Sequence, residues 1–368
     1  MHVCIIGAGV AGLGLAHALL AANCKVTLID SSGTVASGGA SRMNGAQVDV
    51  EGVNHLRALM TSQTRVSFQS LLSLSFHPRW ILEHFKFRAQ PWTHDSKTRS
   101  LRLLAHQNLH FVQTLAPDIL KQGEYWKISS DDKQLPPTLE GHVQKRPAPV
   151  WVGSSWEFCQ RVAKQLSLSS QLDWKPKTTM NHFITQHSKA IGIRVTTDGK
   201  KSDIRADIFV LCTGAHIGQH TPVPILPVAG TVVEINTSTV QHNPKVAMYN
   251  GHQLFWANLG SKIRFGRGVE ILKSPDDPRK VPLECDYPSY QSYQRTRAVS
   301  PDGLPVIGHV AGQPSNVYMV GGLGFFGWTV GFAAGHLLGE HLVSNTPIPY
   351  NLNSKRYGLD FFTKMRYK

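Results

Sequence analysis

The chain opens on an apolar stretch, His2 to Gly7 (HVCIIG), which reads as a short strand buried on both faces. Gly12 to Ala22 (GLGLAHALLAA) is apolar all round and rich in small residues, the pattern of a helix packed closely on a sheet. Lys25 to Asp30 (KVTLID) repeats the strand pattern. Strand, glycine turn, helix and strand in that order make a right-handed parallel unit whose loop lies at the carboxyl edge of the sheet, where ligands of such sheets bind.

Val53 to Gly123 is mostly helical in pattern, with its clearest apolar stretches at Phe85 to Phe87 and Leu101 to Leu115; a polar turn region follows at Ser129 to Pro137. This block reads as an inserted segment. Ser154 begins a capped helix (SSWEFCQRVAKQL), and Ile191 to Thr197 and Ile204 to Leu211 read as strands flanking the DGKK turn. Phe209 to Ala215 (FVLCTGA) is a strand and turn expected to return to the first sheet. Val228 to Asn236, Gln253 to Trp256 and Lys262 to Glu270 alternate or carry β-branched and aromatic residues between Gly, Asn and Pro turns, which predicts an antiparallel sheet in a second domain. Gly321 to Leu342 gives a glycine-rich turn and a small-residue helix, followed by a basic, aromatic tail. The fold class is thus α/β at the N-terminal unit and α+β overall.

Composition narrows this picture a little. The 368 residues are 41% hydrophobic and 17% charged, ordinary for a globular enzyme. Lys and Arg outnumber Asp and Glu by 38 to 24, giving +14, so the surface should attract anions. No block of five or six like charges marks a nucleic-acid tail, and nucleic acid is not an expected partner. The five cysteines, Cys4, Cys24, Cys159, Cys212 and Cys285, lie far apart with no CxxC pair, which fits free thiols, a reducing compartment and a cytoplasmic location. No run of about 18 apolar residues occurs; the most apolar stretch, Gly321 to Leu338, is broken by six glycines. The eighteen histidines show no HExxH or paired spacing with carboxylates, so no metal is expected.

The chemistry begins at Gly7-Ala8-Gly9-Val10-Ala11-Gly12. Its glycines serve a tight turn, close approach of backbone to a pyrophosphate, and packing of helix on strand; the pyrophosphate rests on the helix N-terminus, at Ala11 and Gly12. Asp30, ending the second strand, would accept from ribose hydroxyls, and an acid there disfavours a 2′-phosphate. FAD or NAD therefore fits better than NADP. Ser37 to Gln47 (SGGASRMNGAQ) is a small-residue loop, suited to backbone running beside a planar ring or simply to a flexible connection.

Five segments, in order, carry a resemblance: GAGVAG with Asp30; ASRMNG at Ala40 to Gly45; FVLCTGA at Phe209 to Ala215; SPDGLPVIG at Ser300 to Gly308; and GGLGFFGWTVGFAAGHLLGE at Gly321 to Glu340. Through them the chain resembles the D-amino acid oxidase family of FAD-dependent oxidoreductases, in its glycine oxidase and D-amino acid dehydrogenase branch. The resemblance implies a discontinuous Rossmann-type FAD-binding domain (1–50, 140–218 and 298–345), an antiparallel-sheet substrate domain (51–139 and 219–297) that roofs the flavin, and a basic tail (346–368). It implies non-covalent FAD, since no cysteine follows Cys285.

It also implies that Ser41, Arg42, Met43, Asn44 and Gly45 line the flavin, together with Thr213, Gly214, Gly322, Gly324, Phe325, Gly327, Trp328 and Thr329. The helix beginning near Trp328 would aim its positive end at the pyrimidine ring. Arg297 matches the arginine that precedes the PDG turn and would clamp a substrate carboxylate with its planar fork. His252, Phe255 and Trp256 would form an aromatic wall over the flavin, or in part buried core. Arg295 and Ala298 stand where the family commonly has glycine and proline, and Arg267 where it has glycine; these arginines would recognise a larger or dianionic substrate, or face solvent.

The implied activity is oxidative deamination of a small or D-configured amino acid by hydride transfer from the α carbon to flavin N5, with oxygen or a quinone as acceptor. Two alternatives stay open: a secondary-amine oxidoreductase of the sarcosine or proline type, and a flavoprotein that modifies a macromolecular partner. The tail, which interleaves Lys355, Arg356, Lys364, Arg366 and Lys368 with aromatic residues, either packs on the FAD domain or lies peripherally on the inner face of a membrane.

Overall fold

The computed structural model describes residues 1–55, 67–89, 94–129, 142–236, 246–249, 254–280 and 290–357. His252, Cys285, most of the Ser129 to Pro137 turn and the tail beyond residue 357 lie outside them. Along the chain, β1 (His2–Ile6), α1 (Val10–Ala21), β2 (Lys25–Ile29) and β3 (Gln47–Val48) precede helices α2 (Phe68–Leu74), α3 (Pro78–Ala89) and α4 (His94–Leu115). Then come β4 (Lys121–Ser129), β5 (His142–Val152), α5 (Ser155–Leu166), β6 (Leu172–Lys175), β7 (Thr178–Gln186), β8 (Lys189–Thr197), β9 (Lys200–Ile204), β10 (Ile208–Leu211) and the single turn α6 (Ile217–His220). The chain continues through β11 (Leu226–Asn236), β12 (Val246–Tyr249), β13 (Leu254–Asn258), β14 (Lys262–Ile271), β15 (Gln291–Val299), β16 (Val306–His309), β17 (Val317–Gly321) and α7 (Gly327–Ser344).

A six-stranded sheet runs β16-β17-β10-β1-β2-β6, parallel except at its β16 edge. Strand alternation sorts its side chains between two cores. Val3, Ile5, Val26 and Leu28 pack with α1, α4, α5 and α7. Cys4, Ile6, Phe209 and Leu211 pack instead with Met180, Ile193 and Val195 of the three-stranded sheet β7-β8-β9. Burial on both faces explains the unbroken apolar run of β1. It also pushes the Cys4 and Cys212 thiols up to about 12, so both stay protonated packing groups.

Two boundaries differ from the sequence reading. After the DGKK turn the strand ends at Ile204, and Ile208–Leu211 is a separate strand that pairs in parallel with β1; Arg205, Ala206 and Asp207 lie between the two, which belong to different sheets. Gln47–Val48 and His142–Val152, within the segments read as FAD-binding domain, pair into the eight-stranded sheet β15-β11-β14-β13-β12-β4-β5-β3, because β5 finds its partner in β4. That sheet is antiparallel except between β12 and β4.

Helices α1 and α7 touch backbone to backbone. A methyl on Gly14 would stand 2.0 Å from Phe332 O, and one on Gly335 1.9 Å from Ala11 O. Asn108 of α4, wholly buried, locks the other side of α7: its Nδ2 donates to Trp328 O at 3.0 Å, while its Oδ1 accepts from the Phe332 and Ala333 N–H groups at 3.0 and 3.2 Å.

Gly14→Ala should therefore force the helices apart and lower the unfolding free energy by about 1–3 kcal/mol or more. Urea unfolding of the variant beside the parent measures this; an unchanged midpoint would mean that the contact yields at no cost.

Candidate functional site

The carboxyl edge of the parallel sheet is where the predicted site residues gather. Gly7 turns out of β1 with φ +109, and a Cβ there would lie 2.4 Å from Cys212 O, so only glycine permits this turn against β10. Gly9 caps α1 without a side chain, and Val10 N–H is held by Ser41 Oγ at 3.1 Å. Ala11 and Gly12 sit in the first turn, where helical geometry leaves N–H groups facing outward and a partial positive charge. Asp30 ends β2; its Oδ2 accepts from Ala8 N–H at 2.7 Å and its Oδ1 from Ser32 N–H at 2.8 Å. It thus ties the glycine turn to the second strand.

The loop 40–47 lies beside this turn. Asn44 donates to Ala40 O and to Ser155 Oγ, and Ser155 Oγ donates to Ser41 O, so the start of α5 braces the loop. Met43 is buried at 1% exposure and anchors the loop from within. The Arg42 guanidinium lies over the Trp156 ring, 3.8 Å from its centre. Beside the Gly7 turn, Thr213 Oγ1 is buried without a hydrogen-bond partner among the described residues, and Gly214 has open space where a Cβ would be.

One face of the eight-stranded sheet looks onto this loop. Register places Phe255 opposite Gly266, Arg264 opposite Glu234, Val232 opposite Tyr293 and Gly230 opposite Arg295, with Arg297 two residues further along the same side. Phe255 covers Gly266 and would contact a Cβ on Gly45 at 3.2 Å. Trp256 points the other way, buried at 2% and edge-on to Phe265. The pleat therefore gives Phe255, and not Trp256, to the cleft. The Arg264 guanidinium, 3% exposed, bonds Glu234 Oε1 at 2.7 and 3.1 Å and donates to Asn44 O at 3.0 Å, joining sheet to loop.

Arg297 differs from Arg264 in having no carboxylate among the described residues. Its Nη1 is 3.4 Å from Gly268 O, and its guanidinium lies 5.2 Å from the centre of the Phe325 ring. Burial without a counter-charge pushes it down to about 10, which leaves it a full cation at neutral pH. Gly230 makes its room, since a Cβ there would meet Arg297 Nη1 at 2.5 Å.

Below Arg297 runs the segment Gly322 to Gly327. Gly322 and Gly324 adopt φ +64 and +54, a bridge joins Val299 to Leu323, and α7 begins at Gly327. Trp328 is core, 5% exposed, with Nε1 on Gly153 O at 3.2 Å; the Thr329 hydroxyl, 3% exposed, accepts from Asp49 N–H at 3.4 Å. The adjoining PDG turn is fixed by a buried cluster. Asp302 accepts from Arg356 at 2.8 and 3.2 Å and from Tyr357 OH at 2.7 Å, the two charged side chains being 2% and 3% exposed. Arg356 and Tyr357, the last described residues of the basic tail, are thus packed inside; burial pushes the Tyr357 phenol well up, keeping it a donor.

A glycine turn at an open helix N-terminus, a carboxylate at the end of β2, an unpartnered buried hydroxyl at Thr213 and a glycine-lined floor together fit a flavin dinucleotide. The model of the FAD dependent oxidoreductase (DAO) family matches residues 2–341. The chain belongs to this family. FAD is accordingly its cofactor. The D-amino acid dehydrogenase of Granulibacter bethesdensis is 27% identical over 191 residues, covering 46% of this chain and 44% of that protein, so the match reaches less than half the length of either. In fold the chain is similar to the L-proline dehydrogenase of P. horikoshii (TM-score 0.61, 15% identity, 97% of both chains). It is also similar to the glycine oxidase of Bacillus cereus (TM-score 0.63, 13% identity, 95% of this chain and 97% of that one). Among the described residues no helix is long and apolar enough to cross a membrane.

The residues that sequence reading missed are Asn108, Ser155, Trp156, Glu234 and Arg264. Only Asn108 carried a signal, as a polar residue inside the i, i+3, i+4 apolar repeat Leu101, Leu104, Ala105, Leu109 and Val112. The others act through partners far away in sequence.

Removing one half of a buried pair strands the other charge. Glu234→Leu should cost about 3–5 kcal/mol of unfolding free energy, and adding Arg264→Met should restore much of it. Denaturant unfolding of both variants checks this; equal losses would show that the pair is not coupled.

Proposed function

We propose that this protein oxidises an amine bearing a carboxylate, an amino acid or an N-substituted amino acid, at a site under Arg297. The observation that carries the reading is an enclosed arginine with no acidic partner among the described residues, on the sheet face that looks toward Phe325 and the loop 40–47. Gly7, Gly9, Ala11, Gly12 and Asp30 would hold the adenosine and pyrophosphate half of FAD. Ser41 to Gly45, Thr213, Gly214 and the main chain from Gly322 to Gly327 would hold the rest; Met43, Trp328 and Thr329 support that surface from behind.

Bound FAD supplies a two-electron acceptor, so the chemistry available is loss of hydride from the carbon bearing nitrogen, giving an imine that water hydrolyses to an oxo acid and ammonia or an amine. The chain's own part is orientation. The Arg297 fork fixes the carboxylate in a plane, which fixes the α carbon relative to the floor. Phe255 gives the roof an apolar surface that keeps water from the reacting carbon. No strong base is required when the amine enters neutral.

An anaerobic panel of D-, L- and N-methyl amino acids should bleach the visible flavin bands for at least one class, and the class distinguishes primary from secondary amines. Arg297→Ala should weaken that reduction by about 30- to 1,000-fold, the equivalent of about 2–4 kcal/mol for a lost charge-assisted carboxylate contact. A flavin that every compound leaves oxidised would overturn the proposal. Return of the bands on admitting air, or only on adding a quinone, separates the two acceptors.

A further inference from the structure

Arg295 precedes Arg297 by two residues on β15, so the pleat sets both on the cleft face, roughly 7 Å apart along the strand. Arg295 is half-buried. Among the described residues its Nη1 donates to the neighbouring Gln294 O at 2.8 Å, its guanidinium lies 5.9 Å from the centre of the Tyr293 ring, and its buried Nε has no partner. From the opposite side Arg42, pinned against Trp156, adds its charge; burial first, then Arg42, lower the Arg295 pKa. Arg264, Arg279 and Arg356 are also enclosed, and each bonds a carboxylate of the chain. Arg42, Arg295 and Arg297 bond none among the described residues. Arg42 and Arg295 repel one another in partly desolvated surroundings unless an anion enters, and the desolvated Arg297 stands two residues along the same strand. One carboxylate satisfies one planar fork, and Arg297 alone can take it. A second negative group is needed for Arg295.

We infer that the substrate carries two carboxylates, one held by Arg297 and the other by Arg295 with Arg42 beside it: an aminodicarboxylic acid or an N-carboxyalkyl amino acid. This rests on the placement of the first carboxylate at Arg297 proposed above. A substrate with one carboxylate would leave the Arg295 guanidinium half-desolvated and unpaired, which is how a site rejects an analogue lacking a group.

The test uses the full-length flavoprotein. Anaerobic reduction is compared for aspartate and glutamate of both configurations and iminodiacetate, against alanine, norvaline and sarcosine. In parallel, succinate and glutarate are titrated against butyrate and valerate, with the shift of the flavin absorbance bands as a binding signal that needs no turnover. Dicarboxylates should be preferred by about 30-fold or more in both measurements. Arg295→Gln should collapse that ratio toward one, and Arg295→Lys should keep part of it. Equal response to mono- and dicarboxylates would overturn the inference, as would an Arg295→Gln variant that keeps the ratio. Loss of FAD from Arg295→Gln with the ratio intact would assign Arg295 to the cofactor and overturn it too. Should no amine reduce the flavin while succinate still binds in an Arg295-dependent way, amine oxidation fails and the two-anion site stands.

Discussion

The contact between α1 and α7 is the constraint on which the rest depends. At Gly14 and Gly335 no side chain separates the two backbones, and each glycine occupies space that a methyl group would overfill. The contact joins the first and last parts of the nucleotide-binding unit into one block. It sets the open N-terminus of α1 and the floor from Gly322 to Gly327 in a fixed relation across the edge of one parallel sheet. Asn108 completes the arrangement from the insertion, where a buried amide spends both its donor and its acceptor on the backbone of α7.

Over that block the larger sheet acts as a roof, and its arginines divide by electrostatics. Arg264 is paired, by Glu234 within the sheet and by Asn44 O in the loop, and so fastens the roof to the loop 40–47. Arg297 and Arg295 stand on the same face without internal counter-charges among the described residues. A chain that keeps a cation enclosed and unpaired holds free energy that only a ligand can release. These side chains are of one residue type on one face, and what separates them is whether the fold supplies the anion.

The PDG turn shows how misleading a local charge pattern can be. Arg356 reads as one member of a basic, aromatic tail, yet in the fold it enters the protein to meet Asp302, with Tyr357 beside it. The turn that leads from the Arg297 strand back to the parallel sheet is held by the end of the described chain, 54 residues later in sequence. The same limit applies to Trp256: an aromatic strand announces that one residue faces the cleft, but the register with β14 decides that it is Phe255.

The sequence alone determined the βαβ unit, because its signals are local: a run of apolar residues, glycines at fixed offsets, and an acid at the end of the second strand. It also marked the glycine floor and the small-residue helix at the far end of the chain. Only tertiary structure decided which strands share a sheet, since the segment from Ile204 to Leu211, which reads as one strand, serves two. It decided as well which arginines are satisfied, because Arg264 meets Glu234 30 residues away and Arg356 meets Asp302 54 residues away only through the folding of the chain, and no local spacing encodes those contacts.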